Sequence, residues 1–302
     1  MKQIFGVIKL CYTPKSIFIP IPIFAIILFL ISNKLTLITV NSFKLLFLGI
    51  GVTLFSNFGT NLWNHSNDLE EDRAQGKKNI LTQNIVSQKT TMLISFALYL
   101  ISIILVYYIS IKFNKPIIYF FIISCFITWW YSDNILLKKI FGFRLKTHYI
   151  TELITYGIFY PTYTMSIWLI YSELNIKGIA LAIVFLFYGI AGLLLKDLKD
   201  ISGDRNAGLK TLGVIFLPSK LIQLSCIFLI LYYLTIFIFI VLKVFDVMSF
   251  LIIIPFLFFL KGTYLHFQKK NWRLDENDYM PLRNMIVSTY ISLILFGIGN
   301  FI

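Results

Sequence analysis

Nine apolar runs crowd this sequence: Ser16–Ile31, Leu37–Trp63, Thr91–Ile111, Pro116–Ser132, Ile150–Tyr171, Gly178–Leu195, Leu221–Leu242, Val247–His266 and Met285–Ile302. A helix needs roughly 20 predominantly apolar residues to cross the hydrocarbon core of a bilayer, and most of these runs approach that length. Only 14% of the 302 residues are charged and 58% are hydrophobic, whereas a soluble domain carries roughly 25% charge. The surplus apolar surface requires lipid as its solvent. The expected fold is an all-α integral membrane protein, with nine transmembrane helices in one bundle around a central cavity and polar helix-loop caps on the cytoplasmic side. The first run is short and contains Pro20 and Pro22. The stretch "IFGVIKLCY" before it reads as a helix lying at the membrane interface, too close to the next run to be a cleaved signal peptide. With no linker, repeat or low-complexity tract, residues 1–302 are expected to form a single domain, and the lack of a targeting segment favours a prokaryotic cell membrane.

The charges sort by side. Taking the N-terminus and the loops after the second, fourth, sixth and eighth runs as one side, 20 of the 27 Lys and Arg fall there. Positive loops face the cytoplasm, so the N-terminus and these loops are expected inside. Twelve of the 14 Asp and Glu share that side, Glu173 and Asp246 being the exceptions. The positive-inside rule does not require this of acids, so they need a cause of their own. A net charge of +13 suits anionic lipid headgroups. The basic residues are divided among short loops with no continuous basic helix, which excludes nucleic acid as a partner. Cys11, Cys125 and Cys226 are isolated and read as apolar packing residues. His65, His148 and His266 show no metal-binding spacing.

Two stretches gather the acids. In "NLWNHSNDLEEDR", residues 61–73, Asn64, Asp68 and Asp72 stand four apart and share one helical face. Like charges so placed repel, so a cation is expected among them. Mg²⁺ fits, since it takes oxygen ligands and is held by one or two carboxylates plus substrate phosphates. In "KDLKDISGDRNAGLKTLGV", residues 196–214, Asp197, Asp200 and Asp204 follow an i, i+3, i+7 spacing, again on one face. Gly203 and Gly208 allow a turn near the helix end. Both stretches follow apolar runs and end on the same side, so facing carboxylate sets could hold two or more Mg²⁺ ions around a diphosphate. Acids at a membrane edge are costly and usually functional.

"NHSNDLEED" and "DISGD" with its preceding Asp197, the tail "GDRNAGLKTLGV", the pair "YS" at 131–132 and "FRLKTHYITELITYG" at 143–157 resemble the UbiA superfamily of intramembrane prenyltransferases. The likeness covers most of residues 60–215. It has two departures. His65 stands where many members carry a further Asp, and "GKKNILTQ" stands where many carry Arg-Pro, with Lys77 or Lys78 as substitutes for the missing charge.

The resemblance implies transfer of a polyprenyl group, geranylgeranyl for example, from its diphosphate to a lipophilic acceptor, assisted by Mg²⁺. Asp68, Asp72, Asp200 and Asp204 would be catalytic and, with Asn64, would bind the metal. Asn64, Asp197, Arg144, Lys146, Lys210 and Lys78 would contact substrate, with Lys9 a weaker candidate. Phe55, Phe58, Tyr131, Tyr156, Phe159, Tyr160 and Phe187 are candidates for an aromatic wall that excludes water and faces an allylic cation. An archaeal ether-lipid precursor such as geranylgeranylglyceryl phosphate is the preferred acceptor, an aromatic quinone precursor the alternative. Tetrapyrrole and carotenoid-type acceptors, cyclisation and phosphoribosyl transfer remain open. A cation transporter is the competing class; against it, no acid is expected near mid-bilayer, where transporter sites lie.

Overall fold

The computed structural model describes residues 2–11, 21–74, 76–275 and 278–302. Lys15 and residues 16–20 of the first apolar run lie outside them. The helices are α1 (Lys2–Cys11), α2 (Ile21–Ser32), α3 (Val40–Asn67), α4 (Leu69–Ala74), α5 (Gln88–Phe113), α6 (Ile117–Ser132), α7 (Leu137–Phe141), α8 (Tyr149–Tyr171), α9 (Ile176–Asn206), α10 (Leu212–Ile215), α11 (Pro218–Val241), α12 (Ile253–Phe259), α13 (Leu265–Lys269) and α14 (Tyr279–Phe301). In lipid every backbone polar group must be paired within the chain, which leaves helices as the economical solution for such runs.

Each apolar run maps onto helix, but not each as a full span. Among the described residues, six helices are long and apolar enough to cross a bilayer: α3, α5, α9, α11, the continuous stretch Val247–Lys269 and α14. The other three runs differ for separate reasons. The described part of the first is the 12-residue α2, and α6 has 16 residues, about 24 Å at 1.5 Å per residue. The third, α8, has 23 residues but carries Glu152, Pro161 and several Thr and Tyr. It packs against α2, α3, α6 and α9, and ten of its residues from 163 on and at 155 are buried, so protein rather than lipid surrounds much of it.

The order of packing is a ring. Consecutive members α2, α3, α5, α6, α8, α9 and α11 touch in turn, the stretch Val247–Lys269 follows, and α14 returns to pack on α2. Small and hydroxyl residues are gathered on the inner side of the helices, among an apolar core. On α5 the buried side holds Thr91, Ser95, Tyr99 and Ser102, while Leu93, Phe96, Leu100, Ile104 and Ile111 are exposed. Small and hydroxyl residues bring membrane helices close and bond them. Ser95 Oγ donates to the Gly59 carbonyl at 2.7 Å, Tyr163 and Ser56 hydroxyls meet at 3.0 Å, and Ser225 Oγ donates to the Ala191 carbonyl at 2.9 Å. Gly189 belongs to this set: a Cβ there would lie 2.1 Å from the Tyr160 ring.

Helix ends are fixed locally. Thr39 and Ser42 form a capping box at the start of α3, Ser87 caps α5, Asn175 caps α9, and Pro218 occupies the first turn of α11. The two acids expected apart from the rest pair at the far end of the bundle, Asp246 with Lys34 at 2.7 Å and Glu173 with Lys115 at 3.2 Å.

The α8–α9 contact gives a direct test. Gly189→Ala places a methyl group against the Tyr160 ring, and overpacking of this kind costs about 1–3 kcal/mol. The thermal midpoint of the detergent-purified variant is expected several degrees below that of the parent; an unchanged midpoint would contradict this packing.

Candidate active site

The 64–68–72 ladder survives a break in the helix. Asp68 is the C-cap of α3, with φ −95° and ψ 9°. Its N–H still donates to the Asn64 carbonyl at 2.9 Å, and the Asp72 N–H donates to the Asp68 carbonyl at 2.8 Å. The i, i+4 register therefore passes through the cap into α4, and the three side chains keep their common side.

The acids are held by bases from distant parts of the chain. Lys146 Nζ bonds Asp68 Oδ1 and lies 2.8 Å from Glu71 Oε2. Arg144 reaches Glu71 Oε1 at 2.5 Å and Asp68 Oδ1 at 3.5 Å. Both bases are buried, so these pairs lack the screening that weakens surface ion pairs. The segment 144–147 enters here because it closes a short helical turn, Leu145–Thr147, ahead of α8. A clamp from the α6–α7 loop holds the same corner. Asn67 Oδ1 accepts from the Asn134 N–H at 2.8 Å, Asn134 Nδ2 donates to the Asn67 carbonyl at 2.7 Å, and Asp133 caps the N–H groups of residues 135–137.

Asp72 is served from its own loop, by Lys77 Nζ at 2.9 Å, Asn79 Nδ2 at 3.4 Å and His65 Nδ1 at 3.7 Å. The acid-rich segment and the sequence that replaces Arg-Pro therefore meet through Lys77, while Lys78 is exposed. The negative charges of Asp200 and Asp68 add to that of Asp72 in keeping the Lys77 ammonium protonated.

The second set lies on the last turns of α9, which runs eleven residues beyond its apolar portion, to Asn206. Asp204 Oδ2 accepts from the Thr211 hydroxyl at 2.9 Å, and Asp200 is half-buried. Asp197, 1% exposed, accepts the Gly213 N–H on Oδ2 at 3.2 Å. Gly213 is required there, since a Cβ would fall 2.5 Å from the Asp197 carbonyl oxygen. Lys210 acts through its backbone: its N–H donates to the Thr147 carbonyl at 2.9 Å and its carbonyl accepts from the Tyr149 N–H at 2.8 Å. That bridge ties the loop after α9 to the segment bearing Arg144 and Lys146. Lys9 is exposed on α1, which packs against α3.

The electrostatics follow from burial and pairing. Burial pushes the Asp68 carboxyl above its usual range, opposed by Lys146 and Arg144 and reinforced by Glu71. Burial also works to raise Glu71, but Lys146 and Arg144 outweigh it and hold Glu71 below the usual range. Against burial, His65 and Lys77 hold Asp72 low in the same way. Burial would lower Lys77, and Asp72, Asp200 and Asp68 outweigh it, so it stays firmly protonated.

One oxygen in this corner is unused: the buried Oδ1 of Asn64 has no hydrogen-bond partner among the described residues. Among those residues no three His, Cys, Asp or Glu side chains converge closely enough to hold an ion alone. A set of carboxylates plus an unpartnered amide oxygen does suit a hard cation that completes its shell with phosphate oxygens. Asn64, Asp68 and Asp72 on one side and Asp200 and Asp204 on the other are the residues that would hold it.

Below the acids, aromatic rings continue into the bundle. Tyr131 and Tyr156 lie 6.2 Å apart between centroids, Tyr156 and Tyr160 5.9 Å, Tyr160 and Tyr188 6.3 Å, and Phe187 and Phe228 6.2 Å. Sequence reasoning left out Glu71, which takes both buried bases, and the charges Glu152 and Lys196 that Tyr131 joins beside Asp197. The signals were present: Glu71 is one turn on from Asn67, Lys196 adjoins Asp197, and Glu152 opens an otherwise apolar run.

This is a multi-pass membrane protein whose chemistry is collected at one end of a helical ring, and known proteins identify that arrangement. The sequence matches the UbiA prenyltransferase family over residues 21–286. The chain belongs to that family and is a prenyltransferase. A protein of Archaeoglobus fulgidus, itself described as uncharacterized, is 31% identical over 298 residues, covering 98% of this chain and 99% of that protein. Among solved structures, one described as digeranylgeranylglyceryl phosphate synthase shares the fold with a TM-score of 0.68 at 18% identity, over 99% of each chain. A UbiA homolog from Archaeoglobus fulgidus bound to DMAPP and Mg²⁺ gives a TM-score of 0.62 at 16% identity, over 92% of this chain and 94% of that one.

Removing one partner of a buried pair leaves the other charge uncompensated and costs about 3 kcal/mol, so Lys146→Ala is expected to destabilise by that order. Because Glu71 has a lowered folded-state pKa, its contribution is fully present above its usual value of 4.5 and is lost as pH falls through the lower folded value. The stability gap between Lys146→Ala and the parent should therefore persist at neutral pH and narrow in acid below that range. Thermal unfolding across pH checks this, and a gap that widens in acid would contradict the pairing.

Proposed function

We propose that this protein transfers a polyprenyl group from its diphosphate, with geranylgeranyl diphosphate as donor, to a lipophilic acceptor within the membrane. The observation that carries this reading is the pair of acid sets at one end of the ring, at the α3–α4 junction and on the last turns of α9, with the loop after α9 joined by the backbone bonds of Lys210 to the segment whose Arg144 and Lys146 hold Asp68 and Glu71. We read the chain as nine spans acting as one domain over residues 1–302, with this end facing the cytoplasm, where most of its Lys and Arg lie.

The division of labour follows from charge. Asn64, Asp68 and Asp72 would hold Mg²⁺ on one side, and Asp200 and Asp204 would hold it on the other. The bound metal would supply positive charge that favours the departing diphosphate. Arg144, Lys146 and Lys77 are the protein's own counter-charges for phosphate oxygens, preorganised by their ion pairs. Lys78 and Lys210 are exposed cations at the rim and can draw an anionic head inward. The prenyl tail would lie among the rings descending from Tyr131 through Tyr156 and Tyr160, which exclude water from an allylic cation and present π faces to it.

An ether-lipid alcohol such as geranylgeranylglyceryl phosphate is our preferred acceptor. It draws support from the fold shared with a digeranylgeranylglyceryl phosphate synthase along the whole of both chains and from the archaeal relative.

Purified protein is expected to release diphosphate from geranylgeranyl diphosphate only when Mg²⁺ is present. Asp68→Ala and Asp204→Ala should each insert normally and lose nearly all turnover. Full activity in both variants would refute the two-sided metal assignment, and no release from allylic diphosphates of any length would refute the transferase reading. Product mass from a panel of acceptors identifies the acceptor.

A further inference from the structure

Directly beneath the acid clusters lies a second group of charges that the proposed donor site leaves unused. Glu152 of α8 is 1% exposed. Its Oε1 accepts the Tyr131 hydroxyl at 2.7 Å, and that hydroxyl in turn accepts from Lys196 Nζ at 3.1 Å. Lys196 Nζ also stands 3.6 Å from Glu152 Oε1 and 3.7 Å from Asp197 Oδ1. Two carboxylates thus share one ammonium. Each keeps one buried oxygen, Glu152 Oε2 and Asp197 Oδ1, without a hydrogen-bond partner among the described residues.

Such atoms are expensive. A buried acceptor left unsatisfied is destabilising, and more so when it is charged. Here Glu152 Oε2 has neither a hydrogen bond nor an ion pair among the described residues, and Asp197 Oδ1 has only its 3.7 Å ion pair with Lys196. Tyr131 already fixes the Glu152 rotamer through Oε1, and Gly213 fixes Asp197 through Oδ2. Position also matters. Asp197 lies three residues before Asp200 and seven before Asp204 on one helix face, so about 4.5 and 10 Å deeper at 1.5 Å per residue. That is where the chain-bearing carbon of a diphosphate held by the outer acids would reach. Entry is available through Lys196, whose side chain keeps 36% of its surface accessible while Glu152 and Asp197 keep 1%.

We propose that Glu152 belongs to the acceptor site and takes the proton of a hydroxyl-bearing acceptor. This rests on the prenyl-transfer reading. The free Oε2 accepts the hydrogen bond of the acceptor's O–H, and Asp197 Oδ1 lies in the same group. In the transfer step the carbon–oxygen bond to diphosphate breaks, and its electron pair leaves with the diphosphate. The acceptor oxygen forms the new carbon–oxygen bond with its own electron pair. The acceptor O–H bond breaks and its proton moves to Glu152 Oε2, beside Lys196 and Tyr131. No further reactant is required. The assignment selects an alcohol and rejects a carotenoid-type hydrocarbon, which has no O–H to donate to Glu152 Oε2.

The test uses the full-length protein with geranylgeranyl diphosphate, Mg²⁺ and geranylgeranylglyceryl phosphate, measuring diphosphate, alkylated acceptor and prenyl alcohol together. In Glu152→Gln the amide oxygen can still accept from Tyr131, so the network keeps its anchor. Loss of a positioned base costs roughly 100-fold or more, so alkylated acceptor should fall by that order. Diphosphate release should fall far less, with prenyl alcohol rising as water captures the donor. Glu152→Asp should recover part of the transfer. Equal loss of release and transfer in Glu152→Gln, with a lowered thermal midpoint, would mark Glu152 as a structural residue whose spare oxygen binds water, and would overturn the assignment. Alkylation of a polyene hydrocarbon by the parent protein would overturn it also. Failure of the parent to release diphosphate at all is a separate outcome: it refutes the transferase reading, and the acceptor assignment falls with it.

Discussion

Compensation of buried charge at one end of the ring is the constraint on which the rest of this structure depends. Acids cannot stay ionised beside lipid without partners, and here the partners come from far along the chain. Asp68 and Glu71 are held by Arg144 and Lys146, more than seventy residues later. Asp72 is held by Lys77, which also feels Asp200. These pairs tie the α3–α4 junction to the segment ahead of α8, while the His148–Lys210 bridge fastens that segment to the loop after α9. In the proposed function the same residues would serve stability and substrate. A site preorganised by internal ion pairs can exchange them for phosphate oxygens and metal when a substrate enters, without first assembling itself.

The ring beneath supplies what the charged end cannot. Its interior interleaves Leu, Ile and Phe with buried Ser, Thr and Tyr, and its outer surface is made by Leu, Ile and Phe. Close packing through small residues admits polar side chains to the interior without large voids. For the same reason α8 can carry Glu152, Pro161 and a column of tyrosines through the middle of the protein. The lateral wall is thereby apolar outside and aromatic inside, which suits a substrate whose tail is lipid and whose reactive carbon must be kept from water.

Much of this was legible in the sequence. Apolar runs are a strong signal because lipid imposes a length, and each corresponds to helix. The acid spacing was equally clear, since four-residue steps survive even the break at Asp68. Other features were hidden for physical reasons. Of the nine expected spans, six are long and apolar enough among the described residues, while the described part of the first and α6 are shorter and α8 is largely enclosed by other helices. The pairing of Arg144 and Lys146 with Glu71 depends on folding across a long separation, and loops on this side are rich in Lys and Arg in any case. Lys210 was expected to act through its side chain, and it also ties two loops together through its backbone. Glu152 and Lys196 lie 44 positions apart, so their common site with Tyr131 emerges only in three dimensions.

The central claim is that both acid sets serve one diphosphate. The most direct measurement is anomalous scattering from crystals grown with Mn²⁺ in place of Mg²⁺ and an unreactive prenyl thiodiphosphate. The account predicts metal peaks within coordination distance of Asn64, Asp68 or Asp72 and of Asp200 or Asp204, with the thiodiphosphate between them. Peaks confined to one acid set, or a diphosphate bound away from both, would contradict it.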